Sequence, residues 1–386
     1  MQVTKRDGAK NDYDVEKIHK VVEWATEGLS NVSMSEIEMN ANLSITNGIS
    51  TKEIHKILIK SANDLISESF PNYQYVAARL LNMSLRKDVW KSCKPPELLH
   101  HIQINIDNDV YDPEILEKWS KEDIKKIEGY INHKRDNLYT YAGLQQMVDK
   151  YLVKNRITGK IYETPQTAYM LIAMCLFDDV KSVKKAYDCF STFKINLPTP
   201  IMAGARTNIK QFASCVLVDV EDDLDSIFSS IHAVGKYTAR RAGIGINIGR
   251  IRPINSPIRG GEVVHTGLIP YLKNFESAVK STSQNGIRGG SATAHVPFWH
   301  YEIEDIIVLK NNAGTDDNRV RKLDYSIQFC RLFYKRLIAN EDITLFSPQE
   351  AVGLYEAFGD NKKFEELYTR YENSRSLKMK KKIPAR

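Results

Sequence analysis

The chain has 386 residues, 42% of them hydrophobic, which is enough to bury a large core and to form two or three domains. No run approaches the roughly 18 apolar residues of a membrane helix, and the polar N-terminus lacks a signal-peptide core, so a cytoplasmic protein with no membrane partner is expected. The net charge of +6 comes entirely from residues 375–386, which carry six basic and no acidic side chains; nucleic acid is therefore not an expected partner, and this basic end reads as a solvated, disordered run.

Residues 1–92 read as one compact unit, all helical after a short strand at Val3–Arg6 and a turn at Asp7–Gly8. Apolar spacing predicts a helix from about Asp14, with Val15, Ile18, Val22 and Ala25 on one face. A second is expected near Ser33 to Ser35, where Ser35 and Glu38 have capping-box spacing; a third starts at Thr51 and a fourth covers 75–90. Lys5, Arg6, Lys17 and Lys87 could surround a phosphate chain or simply be solvated. Lys94-Pro95-Pro96 ends the unit, and 93–205 reads as a mainly helical domain.

From residue 206 the pattern changes. Residues 215–220 read as a buried strand, Asp222 and Asp225 as caps of a helix with a continuous apolar stripe from Leu224 to Thr238, and 243–248 as a second strand. This βαβ unit implies parallel strands. A further helix with Ile269, Leu272, Phe275 and Val279 leads into Lys280–Thr293. That segment, rich in Gly and hydroxyl side chains around Gln284 and Arg288, reads either as a nucleotide loop or as a solvated turn. Strands are expected at 293–299 and, between helices around 325–339 and 349–372, at 342–348, making about four strands of a larger parallel sheet. No later run looks strand-like enough to continue it. The five cysteines (Cys93, Cys175, Cys189, Cys215, Cys330) lie far apart, without zinc-ligand spacing. They predict neither a disulfide framework nor a bound metal, and each reads alone as a small buried hydrophobe.

Five motifs carry a resemblance: Gln211-Phe-Ala-Ser-Cys215-Val-Leu, Arg241-Ala-Gly-Ile-Gly-Ile-Asn-Ile-Gly-Arg250-Ile-Arg252, Ser256-Pro-Ile-Arg259-Gly-Gly-Glu262, Ser283-Gln-Asn-Gly-Ile-Arg288 and Ile343-Thr-Leu-Phe-Ser-Pro348. In this order they resemble the large subunit of an aerobic class I ribonucleotide reductase, from Val3 to about Tyr371. The resemblance implies an α/β fold in which an ATP-cone (1–92) and a helical domain (93–205) precede the first part of a ten-stranded α/β barrel (206–373), with 374–386 outside the family pattern.

It also implies sites. An activity site for ATP or dATP would use Lys5, Asn11, Asp12, Tyr13, Asp14, Val15, Glu16, Lys17, Thr51 and Lys87. A specificity site for a deoxynucleoside triphosphate effector would use Asp222, Asp223, Leu224, Arg252, Arg259 and Gln284, with Mg²⁺ accompanying the nucleotides. Thr199, Ser214 and Arg288 would hold substrate, and Cys215 would be one of two redox-active thiols.

The family's radical-bearing cysteine and the partner thiol of Cys215 have no counterpart among these motifs. The first expectation is therefore the N-terminal piece of a split large subunit, completed by a second polypeptide. It would work with a small radical-generating subunit and with thioredoxin or glutaredoxin as reductant, and would form a homodimer through helices near 224–240 and 266–280. The alternative expectation is a non-catalytic nucleotide-binding module.

Overall fold

The computed structural model describes residues 1–240, 242–284 and 288–386, with the side chains of Ser283, Gln284 and Arg288 outside the description. It divides into two units, 1–212 and 213–386. Among the described residues no helix is long and apolar enough to cross a membrane.

The first unit opens not with helix alone but with a hairpin, β1 (Gln2–Thr4) pairing antiparallel with β2 (Lys10–Asp12). Gly8, at φ 88°, supplies the left-handed residue of its turn. Four helices follow: α1 (Val15–Thr26), α2 (Met34–Asn42), α3 (Thr51–Asp64) and α4 (Tyr73–Trp90). Asp14 caps α1 by accepting from the Glu16 amide at 3.1 Å, and Ile18, Val22 and Ala25 turn inward while Val15 stays exposed. The cap of α2 is Ser33 rather than Ser35. Both serines have an acidic residue three positions on, but starting at Ser33 buries Ile37 completely and leaves Glu38 free to meet His19 at 2.9 Å. Ser50 and Glu53 form the capping box that starts α3.

Helix α4 serves two cores. Val76, Ala77 and Leu80 pack among the first helices, while Ala78 and Leu85 pack into a second cluster. That second cluster belongs to α5 (Leu98–Asp107), α6 (Glu114–Lys118), α7 (Lys121–Glu128), α8 (Tyr141–Gln146), α9 (Pro165–Leu176), α10 (Val180–Ser191) and α11 (Thr199–Gly204). As its unbroken apolar sequence requires, α9 is buried almost all round.

The second unit is built on a four-stranded parallel sheet. β3 (Cys215–Asp219), α12 (Leu224–Ala239) and β4 (Gly243–Asn247) form the expected βαβ unit. β5 (Pro257–Ile258) and β6 (Val263–Val264) make a small hairpin before α13 (Leu268–Ser281), and β7 (Ser283–Gln284) with β8 (Arg288–Gly289) makes another. β9 (Ala292–Pro297), α14 (Ile303–Ile307) and β10 (Asp324–Gln328) follow, giving the strand order β10-β9-β4-β3.

The fourth strand is therefore β10, within a stretch whose pattern predicts helix. Tyr325 and Ile327 alternate with polar neighbours, and α15 (Arg331–Ala339) begins only afterwards. β11 (Asp342–Phe346) is not in the parallel ladder; it touches the end of β9 through a bridge between His300 and Phe346. The helical stretch expected at 349–372 is two helices, α16 (Leu354–Ala357) and α17 (Asn361–Asn373), because Asp360 caps the second through the amides of Lys362 and Lys363.

The basic end is ordered. β12 (Lys380–Pro384) pairs antiparallel with β11, Ile383 and Leu377 pack against the core, and Lys381 pairs with Glu304. Lysines suit an edge strand because their stems cover apolar surface while their ammonium groups reach water or carboxylates.

Candidate functional site

The first site lies among β1, β2, α1, α3 and the end of α4. A cavity of about 190 Å³ opens there, lined by eight of the ten positions assigned to the activity site. The strands and the start of α1 contribute Lys5, Asn11, Asp12, Tyr13, Asp14 and Lys17; Thr51 comes from the first turn of α3 and Lys87 from the last turn of α4. Val15 and Glu16 do not line it, and Val15 is 53% exposed. Apolar side chains of Ile18, Val21, Ile54 and Leu58 complete the wall, so charged and flat apolar surfaces share one pocket.

Sequence reasoning missed His55. It lies four residues after Thr51 on α3, hence on the same helix face, and that spacing was the available signal. Its Nε2 is 3.2 Å from the Lys87 ammonium. Since an ammonium can only donate, Nε2 accepts and the proton is on Nδ1, which has no partner among the described residues. Burial, reinforced by the charges of Lys87 and Arg6, pushes the His55 pKa down to about 4, so the ring is neutral. Burial also lowers the pKa of Lys87. Asp88 draws Arg6 (3.2 Å) and Lys52 (3.5 Å) to itself, whereas Lys17 is held by Asp14 at 3.1 Å. The pocket thus presents cations and an unpaired imidazole N–H beside an apolar wall, which suits a phosphorylated ligand with a flat ring.

In the second unit, the end of β3 and the segment after β4 converge. Asp222 accepts from the Arg252 amide at 2.9 Å and from its Nε at 2.7 Å, and Arg252 Nη1 donates to the carbonyl of Pro257 at 3.2 Å. Asp223 caps α12 through the Ser226 amide at 2.8 Å, and Leu224, the first helical residue, is 58% exposed. Arg259 stands in the turn between β5 and β6 at φ 50°, followed by Gly260 and Gly261 at φ 71° and 100°. Asp222 and Arg252 are therefore directly paired, and Arg252 is tied to the hairpin that carries Arg259. Both Arg288 and Gln284 sit on the β7–β8 hairpin, and their side chains lie outside the described residues, as do Arg241, Asn285, Gly286 and Ile287.

Cys215 opens β3 at the edge of the sheet, an exposed free thiol rather than a buried hydrophobe. Its Cα partner on β4 is Gly243, whose amide donates to the Ser214 carbonyl at 2.8 Å. A Cβ at position 243 would stand 3.8 Å from the sulfur, so the strand beside the thiol is bare backbone. Thr199 is the half-buried first residue of α11, in the other unit.

Comparisons with known proteins follow these boundaries. Residues 1–88 match the ATP cone domain, 137–210 the all-alpha domain of ribonucleotide reductase and 213–386 its barrel domain, the last match running through the basic end. The ribonucleoside-diphosphate reductase 1 subunit alpha of Escherichia coli (strain K12) is 50% identical over 383 residues, covering 97% of this chain and 50% of that protein. The corresponding subunit alpha of Enterobacteria phage T4 is 46% identical over 393 residues, covering 100% of this chain and 52% of that protein. That of Helicobacter pylori (strain J99) is 32% identical over 375 residues, covering 96% and 47% respectively. The chain spans about half the length of the curated relatives it matches, their N-terminal portion.

Proposed function

The chain belongs to the ribonucleotide reductase large-subunit family, and from that premise we propose that it is the control and reductant-bearing portion of an enzyme reducing ribonucleoside diphosphates to deoxyribonucleoside diphosphates. The cone cavity takes ATP or dATP, with Lys5, Lys17 and Lys87 on the phosphates and Mg²⁺ accompanying the nucleotide. The Asp222–Arg252 region and Arg259 take a deoxynucleoside triphosphate effector, and Gln284 and Arg288 relay its identity to the substrate base. Thr199 and Ser214 hold substrate.

Cys215 supplies one thiol of a dithiol. Together the two thiols give up two electrons and two protons, the 2′-hydroxyl leaves as water, a hydrogen takes its place, and a disulfide remains. In this reading the partner thiol and the radical cysteine reside in the portion of the relatives' length that this chain does not span. A small subunit generates the radical, thioredoxin or glutaredoxin regenerates the dithiol, and α12 with α13 forms a homodimer contact in the cytoplasm.

The observation that supports this reading most is the meeting of eight assigned nucleotide positions around one cavity. The test is reconstitution of the chain with the complementary portion, a small subunit, reductant and CDP. Cys215→Ser should abolish turnover and leave ATP and dTTP binding intact. Turnover that survives the substitution removes the catalytic role; nucleotide binding without turnover in every mixture leaves a binding module.

A further inference from the structure

Glu302, just before α14, is 4% exposed, and an ionisable carboxyl is so deeply buried only when something answers it. No cation does. Its Oε2 accepts from the Ile254 amide at 3.0 Å and from the Leu268 amide at 3.2 Å, with Oε1 at 3.3 Å from the latter. Those two amides are the entry and exit of one excursion, which contains β5, the Arg259 turn and β6. The excursion also closes on itself, since Asn255 donates to the His265 carbonyl at 2.9 Å and His265 to that of Ser256 at 2.8 Å. Gly267, at φ 85°, is where the carboxylate comes closest: a Cβ there would stand 2.6 Å from Oε1 and 2.9 Å from Ile254 Cβ.

Two residues earlier, the fully buried His300 extends the hold. Its Nε2 donates to the Ile251 carbonyl at 2.9 Å and its Nδ1 accepts from the Glu302 amide at 3.1 Å. Arg252 and Arg259 both lie on the segment so gripped. Leu268 begins α13, whose far end passes directly into the β7–β8 hairpin.

We propose that Glu302 is a positioning residue for the effector site: it pins both ends of the arginine-bearing loop and the start of α13, so that Arg252 and Arg259 face a triphosphate already in place. The inference rests on the effector reading proposed above. Among the described residues the groups that meet the carboxyl are N–H donors, and both amides reach Oε2, so they stay satisfied when Oε1 carries a proton. Burial pushes its pKa up to about 7, with Asp305 in α14 adding to the push and the Leu268 and Ile254 amides opposing it. Neither neighbouring histidine is shifted in that direction. His300 is held at about 4 by burial, and His265, whose Nδ1 accepts from the Gly267 amide, is likewise lowered by burial, with Asp222 and Arg252 acting on it in opposite directions. The loop should therefore loosen as pH rises from 6 to 8, since a carboxyl whose pKa is raised by burial holds its place best when protonated.

Two measurements on the full chain test this: amide hydrogen exchange at Ile254 and Leu268 without nucleotide, and dTTP affinity by calorimetry. Glu302→Ala should speed exchange at both amides and weaken dTTP roughly tenfold while ATP binding at the cone is unchanged. Glu302→Gln, whose carbonyl oxygen can replace Oε2 and which cannot ionise, should rescue most of that loss and abolish the wild-type fall in dTTP affinity of about threefold or more between pH 6 and pH 8. Unaltered exchange and affinity in the alanine variant, or a pH-dependent fall that persists in the glutamine variant, overturns the proposal. If the alanine variant does not fold, the pH profile of the glutamine variant decides alone. Faster exchange in a chain that binds no dTTP upholds the clamp and defeats the effector reading, so the two failures are told apart.

Discussion

At position 87 a lysine does two things at once: it faces the cone cavity and it donates to His55, four residues beyond Thr51. A half-buried cation whose pKa is lowered by its surroundings gains from an arriving phosphate, because the anion restores the solvation that burial removed. Lys87→Ala should accordingly weaken ATP binding roughly tenfold or more, measured by calorimetry on the intact chain. Val15→Ala should leave it unchanged, since Val15 looks outward from the first turn of α1 although it lies within the run of positions assigned by resemblance. The run Asn11 to Lys17 could be read as one contiguous binding segment in sequence. The helical turn that starts at Asp14 then separates Lys17, which lines the cavity, from Val15, which does not.

Among the elements, α4 bears most on control. It carries Lys87 toward the nucleotide cavity and, one residue earlier, Arg86 toward the helical domain, where its guanidinium meets Asp136 at 2.7 Å. Asp136 is fully buried and also accepts from Asn82 at 3.2 Å and Gln166 at 3.0 Å. Burial nonetheless pushes its pKa up, outweighing Arg86, so the pair fixes geometry more than it adds net stability. Asp136→Ala strands a buried guanidinium and should cost about 3 kcal/mol in urea unfolding. Asp136→Asn, which still accepts from Arg86, should cost about 1 kcal/mol. Equal losses in the two variants would show that the charge, not the hydrogen-bond geometry, is what the helix junction needs.

For the molecule as a whole, pH dependence follows from where its titratable groups are buried. His55, His101, His133 and His300 are each pushed down to about 4, first by burial. Above their unfolded value of 6.5 these histidines are neutral in both states and their contribution to stability is complete. As pH falls from 6.5 toward 4 the unfolded chain takes up protons that the folded chain refuses, and stability is lost. Glu302 acts with the opposite sign, since its raised pKa gives stability below 4.5 that is lost as pH rises through about 7. His265 is also lowered and Asp136 also raised, so five groups against two predict a urea midpoint clearly lower at pH 5 than at pH 7, and His300→Asn should flatten part of that slope.

Local patterns were sufficient for much of this architecture. Apolar spacing places α1, α3, α4 and α12 because one buried stripe every 3.6 residues leaves a mark in any sequence, and the alternation in 243–248 marks a strand for the same reason. Motif resemblance marks Lys5, Lys87 and Thr51 as partners, although they lie far apart in the chain. Other features depend on neighbours distant in sequence. β10 is short and alternates polar with apolar residues, β12 is short and charged, and they are strands because β9 and β11 offer them free edges; nothing in Lys380–Pro384 alone favours an extended conformation over a solvated coil. The choice of Ser33 over Ser35 depends on whether Ile37 finds a core. His55 acquires its unpaired proton only when Lys87 folds back beside it, and Glu302 its role only when two amides fourteen residues apart meet at one carboxylate. A side chain's propensity is written at its own position, whereas its partner, its burial and so its proton are set by the long-range contacts that close the fold.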